Sequence, residues 1–273
     1  MSKCKYCGNE AGLFKKYHEE CKQTYTDGQR KIINFAHSSI IAGTEYSKID
    51  DVVKEIAAKS FHKESDIRAL LLHVWKYVID KTLDNGLFSK EQENTMLEIL
   101  NTLDFSDSEI GDRYKTLVKS FVIRDLVEGK IPERVTPVGH MPFNFQKDEK
   151  LIWLFNPCAF YQSKTKTIRK GGHAGVSLKI MKGVYFRTGG FSSRPVTSEA
   201  VVRIAIGLLA VTDKHIYFYS PKKAFRIPYT KIIAFTPHND GITIQKDTKE
   251  KPFIFQTFDG WFTYNLLMNL SQR

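Results

Sequence analysis

GLLAVTDKHIYFYSPKKAFRIPYTKIIAFTPHNDGITI, from Gly207 to Ile244, is made of short runs rich in Val, Ile, Phe and Tyr. Thr212-Asp213, Ser220-Pro221 and Asn239-Asp240-Gly241 separate several of them. Such runs between turn residues predict consecutive antiparallel strands. The same texture extends outward, through LIWLF, VSLKIMKGVYFRT and VVRIAIGLLAVT on one side and PFIFQTF on the other. The chain then changes period. In DGWFTYNLLMNLSQR, Trp261, Tyr264, Leu267, Met268 and Leu270 recur at roughly helical spacing behind Asp259, a candidate cap. Residues 148–273 therefore read as a small antiparallel β-barrel or sandwich plugged by a C-terminal helix.

Upstream, GKIPERVTPVGHMPFNFQ (Gly129 to Gln146) holds three prolines, two glycines and no period, so 131–147 reads as a linker. Before it, four sets of apolar residues recur at spacings of three and four. They begin at Ile49, Ile67, Met96 and Ile110 and predict a helical bundle over 26–130. Ser89 with Gln92, and Ser106 with Glu109, have the spacing of capping boxes. The fold class expected is α+β and multidomain.

The first 25 residues are different again. Cys4-x2-Cys7-x10-His18-x2-Cys21 is a metal-ligand spacing. A Cys-x-x-Cys turn brings two sulfurs to one side, and residues three apart share a face of a first helical turn. Gly8 suits the tight knuckle, and AGLFKKY has room for a short hairpin. The segment resembles a treble-clef zinc finger, which implies a structural Zn2+ held by Cys4, Cys7, His18 and Cys21. Four protein ligands leave no open position for catalysis. Reduced, metal-free cysteines are the alternative. Such fingers bind nucleic acid or protein, or cap a neighbouring domain; Tyr25 and the helix that follows offer a surface for capping.

Charge is distributed unevenly. Residues 151–273 carry 18 Lys and Arg against 6 Asp and Glu, while the chain as a whole is +11. No acidic residue occurs from Leu151 to Ser198. A field of one sign attracts an anionic partner; a solvated basic surface is the bland alternative. Lys164, Lys166, Arg169 and Lys170 lie beside Gly171, Gly172 and Gly175, and Lys222-Lys223 adds charge at a turn. These six basic residues are the candidate anionic-ligand site. The longest apolar run, Ile204 to Val211, is too short to cross a bilayer. No leader-like start is visible, so a cytoplasmic protein, peripheral at a membrane at most, is expected.

Two further resemblances bear on fold. In Gly207 to Ile244, Val211-Thr212, Lys214 to Phe218, Phe225 to Tyr229, Lys231-Ile232 and Asp240 to Ile242 resemble the core of pleckstrin-homology-like domains of the GRAM and bacterial kind. That likeness implies a barrel closed by a helix, with phosphoinositide or protein ligands. Asp84 to Ile110 is similar to a turn of TerB-like helical domains. Asp80, Asp84 and Asn85 lack the full calcium-loop pattern, so a plain interhelical turn is expected.

Catalytic motifs are missing: there is no G-x-S-x-G, phosphate-binding loop, dinucleotide fingerprint or H-E-x-x-H. GGHAG is too short a motif, Cys158 reads as a buried structural thiol, and His73 reads as a core or boundary residue. The expectation is a non-enzymatic, bacterial adaptor that recognises phospholipid headgroups or a protein partner. The alternative is a nucleic-acid-binding protein using the finger and the basic face together.

Overall fold

The computed structural model describes the chain except residues 1, 138, 169–176, 182–183, 188–195 and 247–249. Within helices and strands, the side chains of 82–85, 165–168, 177–181, 184–187 and 196–199 are also outside the description. The chain divides into two compact units, Met1–Arg124 and Asp125–Arg273.

In the first unit, two short strands, β1 (Ser2–Lys3) and β2 (Glu10–Gly12), pair antiparallel. The helices are α1 (Glu19–Ile41), α2 (Tyr46–Lys59), α3 (Glu64–Asn85), α4 (Lys90–Leu103), α5 (Asp107–Ile110) and α6 (Arg113–Val127). The periodic apolar sets fall on α2, α3, α4 and α5–α6 and bury a common core that includes Ile32, Ile49, Leu71, Trp75, Met96 and Phe121. Trp75 satisfies its one polar atom by donating from Nε1 to the Met96 carbonyl at 3.0 Å. Both capping boxes are present with reciprocal bonds. The second caps only the four-residue α5, because Gly111 at φ 58° turns the chain before α6 begins.

One glycine determines how closely two helices pass. A Cβ on Gly28 in α1 would lie 2.2 Å from Ser60, just past α2. A glycine inside a helix costs about 1 kcal/mol relative to alanine, and here the close approach offsets that cost. Arg68 draws the other end of the bundle together. It donates to both Glu109 carboxylate oxygens at 2.7 and 2.9 Å, and to the Leu103 and Asp104 carbonyls at the end of α4.

The second unit is one antiparallel sheet and a helix. Its strands are β3 (Leu151–Ile168), β6 (Val196–Thr212), β7 (His215–Ser220), β8 (Lys223–Pro228), β9 (Ala234–His238), β10 (Gly241–Gln245) and β11 (Phe253–Gln256). They lie in the order β8-β7-β6-β3-β11-β10-β9. A separate hairpin, β4 (Ser177–Met181) with β5 (Val184–Arg187), comes between β3 and β6 in the chain. Helix α7 (Gly260–Ser271) follows, capped by Asp259, whose side chain accepts from the Phe262 amide at 3.0 Å.

The expected barrel is corrected: the sheet is not closed, and β8 and β9 are its two edges. Each edge carries a proline, Pro228 or Pro237, which has no N–H to offer a further strand. The sheet nevertheless curls tightly. Phe225 on β8 and Phe253 on β11 are four strand positions apart, which is about 19 Å across a flat sheet. Their ring centroids are 5.0 Å apart. Phe160, Phe218 and Phe255 complete the cluster that draws the two halves together. The curl is thus held by side chains where hydrogen bonds do not close it. Helix α7 contacts β9 and β10, and its Phe262 meets Trp153 at 4.7 Å. The register slips between Phe155 and Cys158, so the core-facing parity on β3 changes from Trp153 and Phe155 to Cys158 and Phe160.

Candidate metal centre and basic face

Cys4, Cys7, His18 and Cys21 come together in unit 1, with one ligand atom from each within 4.8 Å of all the others. The group could hold a metal ion. The backbone explains how: the Gly8 amide donates to the Cys4 carbonyl at 2.9 Å, and Gly8 takes φ 77°, closing the Cys4–Cys7 turn. The hairpin expected within AGLFKKY is placed differently. β1 and β2 flank the knuckle, while residues 13–18 turn back toward α1. His18 is the N-cap of α1 and Cys21 lies in its first turn. That helix end carries partial positive charge, which favours a thiolate nearby.

Two edges of the group have the length that a tetrahedral ion needs. His18 Nδ1 is 3.5 Å from Cys7 Sγ and 3.6 Å from Cys21 Sγ. Bonds of about 2.3 Å to sulfur and 2.0–2.1 Å to nitrogen imply a sulfur–nitrogen edge of about 3.6 Å. The other ring nitrogen, Nε2, donates to the Glu10 carbonyl at 2.9 Å. This outer bond leaves Nδ1 unprotonated and aimed at the sulfurs, as a ligating histidine requires. Burial works to raise the Cys4 thiol pKa, but backbone amide bonds from Cys7, His18 and Tyr6 outweigh it and bring it to about 6. Cys21 is pushed up to about 11 by burial and by its neighbours Cys7 and Cys4. Opposite shifts within one cluster are expected when several sulfurs share a site.

The metal group is continuous with the bundle, because α1 runs unbroken from Glu19 to Ile41. A row of rings extends the attachment. Tyr6 meets Tyr25 at 4.8 Å, and Tyr25 stacks on His62 at 4.0 Å with planes 9° apart. Lys5 lies over Tyr6 and Tyr17, and Lys22 over Tyr17. The role of Tyr25 was anticipated from its place after Cys21; that of His62 had no signal in sequence.

The basic residues have a different arrangement. Lys222 and Lys223 are exposed at the β7–β8 turn, and Lys164 is exposed on β3. Lys166 lies on β3 with its side chain outside the described residues, as Arg169 and Lys170 are entirely. The register places the β7–β8 turn level with Cys158, so Lys164 is six residues, about 20 Å, farther along β3. Past Tyr161, β3 and β6 continue as a two-stranded arm that neither β7 nor β11 joins. The described lysines are spread along one end of the sheet and its arm, while exposed Arg203 on β6, the partner of Tyr161, faces the opposite side of the arm from Lys164.

A carboxylate that sequence reading missed holds the segment before β3. The Glu149 side chain is fully buried. It accepts from the Thr212 hydroxyl, from His215 Nδ1 at 2.9 Å, from Tyr217 at 2.7 Å and from the Gln146 amide at 2.7 Å. Burial raises its pKa, but these bonds, Thr212 first, outweigh it and hold the carboxyl below its ordinary value. His215 therefore has a carboxylate partner, which sequence reading did not find. Cys158 is fully buried, and burial pushes its thiol far up. His73 is exposed on α3 instead of lying in the core.

No protein-family model matches the chain, and no curated protein matches it either.

Proposed function

We propose that the protein is a non-enzymatic binding protein that recognises an anionic surface, phospholipid headgroups above all. In this reading Zn2+ sits at Cys4, Cys7, His18 and Cys21 as a treble-clef-like structural centre. Four protein ligands complete its shell, so it organises unit 1 and leaves no position for substrate. The second unit is read as a pleckstrin-homology-like domain, supported by seven meandering strands and a closing helix.

The observation that carries the reading is the basic stripe. Residues 151–273 have net charge +12, and Lys164, Lys222 and Lys223 stand exposed along about 20 Å of one sheet end. A charged stripe of that length suits an extended anionic surface better than one small ligand. Each Lys or Arg near such a surface adds about 1 kcal/mol. The test is co-sedimentation of the full chain with phosphatidylcholine vesicles, with and without phosphatidylserine. Binding should require the anionic lipid and fall at least tenfold in the triple reversal Lys164→Glu, Lys222→Glu and Lys223→Glu. Equal binding by the triple variant would count against it.

A second reading, nucleic-acid binding, is favoured by the Lys5, Tyr6, Tyr17 and Lys22 row, since cations interleaved with rings can grip bases and phosphates. Short DNA and RNA duplexes added to the vesicle assay separate the readings. A duplex that binds more tightly than vesicles, and loses binding on Cys7→Ser as well as on the lysine reversals, would make the second reading the better one.

A further inference from the structure

The cysteine segment ends in a tip that has no structural use within the described residues. Leu13 is 76% exposed and Phe14 is 99% exposed. Two adjacent large apolar side chains in water are unfavourable, and neither contributes to the core of unit 1. The loop that carries them is pinned from behind. The Ser2 hydroxyl reaches the Gly12 and Lys15 carbonyls, and the Lys5 amide donates to the Lys16 carbonyl at 3.1 Å. Phe14 itself takes φ 62°, a left-handed conformation that a bulky residue seldom adopts. Backbone anchors therefore hold the pair outward on a rigid base.

Charge indicates what the tip meets. Lys15 and Lys16 follow the pair directly and are exposed, as is Lys5, whose amide donates to the Lys16 carbonyl. Of the acidic residues of the segment, Glu10 lies opposite Lys3 on the β1–β2 pair and Glu19 and Glu20 begin α1, so none falls in the stretch 11–18 that carries the tip. An apolar point followed by adjacent lysines matches the layering of an anionic bilayer: acyl chains under a negatively charged headgroup plane. Apolar side chains enter the acyl boundary while cationic ones remain among the headgroups. An exposed Phe can also stack on an unpaired base, but a duplex has no acyl layer to take the aliphatic Leu13 beside it.

We propose that Leu13 and Phe14 insert into the interface of an anionic membrane, with Lys15 and Lys16 on the headgroups. The proposal rests on the reading of the protein as a binder of anionic lipid surfaces. It adds a second point of attachment, in the other unit and of a different kind. Weak attachments combine, and stable anchoring commonly takes two signals.

The experiment uses the full-length, zinc-loaded protein with phosphatidylcholine–phosphatidylserine vesicles. Leu13→Ala with Phe14→Ala should weaken binding by roughly tenfold, the scale of one aromatic side chain leaving an apolar phase. Zinc content and thermal stability should not change, because both side chains are exposed. Phe14→Trp supplies a direct readout. Its added fluorescence, over that of the wild-type protein, should shift to the blue on vesicles and be quenched by brominated acyl chains.

Binding within twofold of wild type for the double alanine variant, or fluorescence of Phe14→Trp that ignores brominated lipid, would overturn the proposal. So would a duplex nucleic acid or protein that protects the tip while vesicles do not. The Lys164, Lys222 and Lys223 reversals are run in parallel. If they weaken binding and the tip changes do not, the tip proposal falls and the basic-stripe reading stands. If only the tip changes matter, the outcome is reversed.

Discussion

Two irregular segments, one in each unit, are held in place by opposite means. Residues 2–18 pack few apolar side chains and converge on four metal-ligand atoms. Residues 143–149 bring a buried carboxylate, Glu149, to Thr212, His215 and Tyr217. They also stack Phe143 and Phe145 on each other and lay Phe145 5.2 Å from Tyr217. The first segment is stapled by ligands close in sequence. The second is stapled by partners 63 to 68 residues away. Ligand spacing is therefore visible along the chain, whereas the carboxylate's partners are not.

The contrast predicts unequal responses to perturbation. The largest effect should follow metal removal. Structural zinc contributes on the order of 10 kcal/mol to small metal-folded segments. Chelation, or Cys7→Ser, should release residues 2–18 and loosen the start of α1, leaving the second unit unchanged. Hydrogen exchange read peptide by peptide checks this, and protection lost equally from both units would break the distinction.

Next in size is Glu149→Ala. It leaves the Thr212, His215, Tyr217 and Gln146 donors without their shared acceptor in a buried place, at a cost of about 3 kcal/mol. Denaturant unfolding should locate the loss in Asp125–Arg273, with zinc content unaffected. Gly28→Ala should cost about 2 kcal/mol in the other unit, because its Cβ collides with Ser60 and α1 must shift. Ser60→Gly in the same chain should recover part of it, which a double-mutant cycle would show.

The smallest effect, and the sharpest separator, is acid. Glu149 has a folded pKa below its ordinary value, and Arg68, with the Ser106 cap, holds Glu109 well below the usual carboxylate range. Depressed carboxyls contribute stability that is present above the unfolded value, near pH 4.3, and is lost as pH falls through the folded one. The metal site should fail earlier on the way down, since protons compete for its ligands. Titration from pH 7 should therefore release zinc before the second unit loses near-ultraviolet ellipticity. The opposite order would mean that the carboxylate staple is the weaker one.

How much of this was legible in the chain depends on the range of the interaction. Helices α2, α3 and α4 announced themselves through three-and-four periodicity, and Ser89 and Ser106 through caps three residues from their partners. The strand texture of 151–273 was readable for the same reason, because β propensity and turn residues act locally. The ligand set was readable because Cys4, Cys7, His18 and Cys21 span only 18 residues. The ring row from Tyr6 through Tyr25 to His62 was legible only in part, since His62 arrives from beyond the end of α2.

Barrel closure was beyond local reading. It depends on whether β8 and β9 meet, and no spacing within either strand reports that. Each edge carries a proline that offers no N–H, while five phenylalanines drawn from β3, β7, β8 and β11 curl the sheet all the same. Likewise the distance between Lys164 and the Lys222–Lys223 turn is set by strand register. Propensity, capping and ligand spacing act over a few residues and are written into the order of the chain. Edge pairing, buried acceptors and the layout of surface charge depend on which distant residues the folded core brings together, and only the tertiary structure decides those.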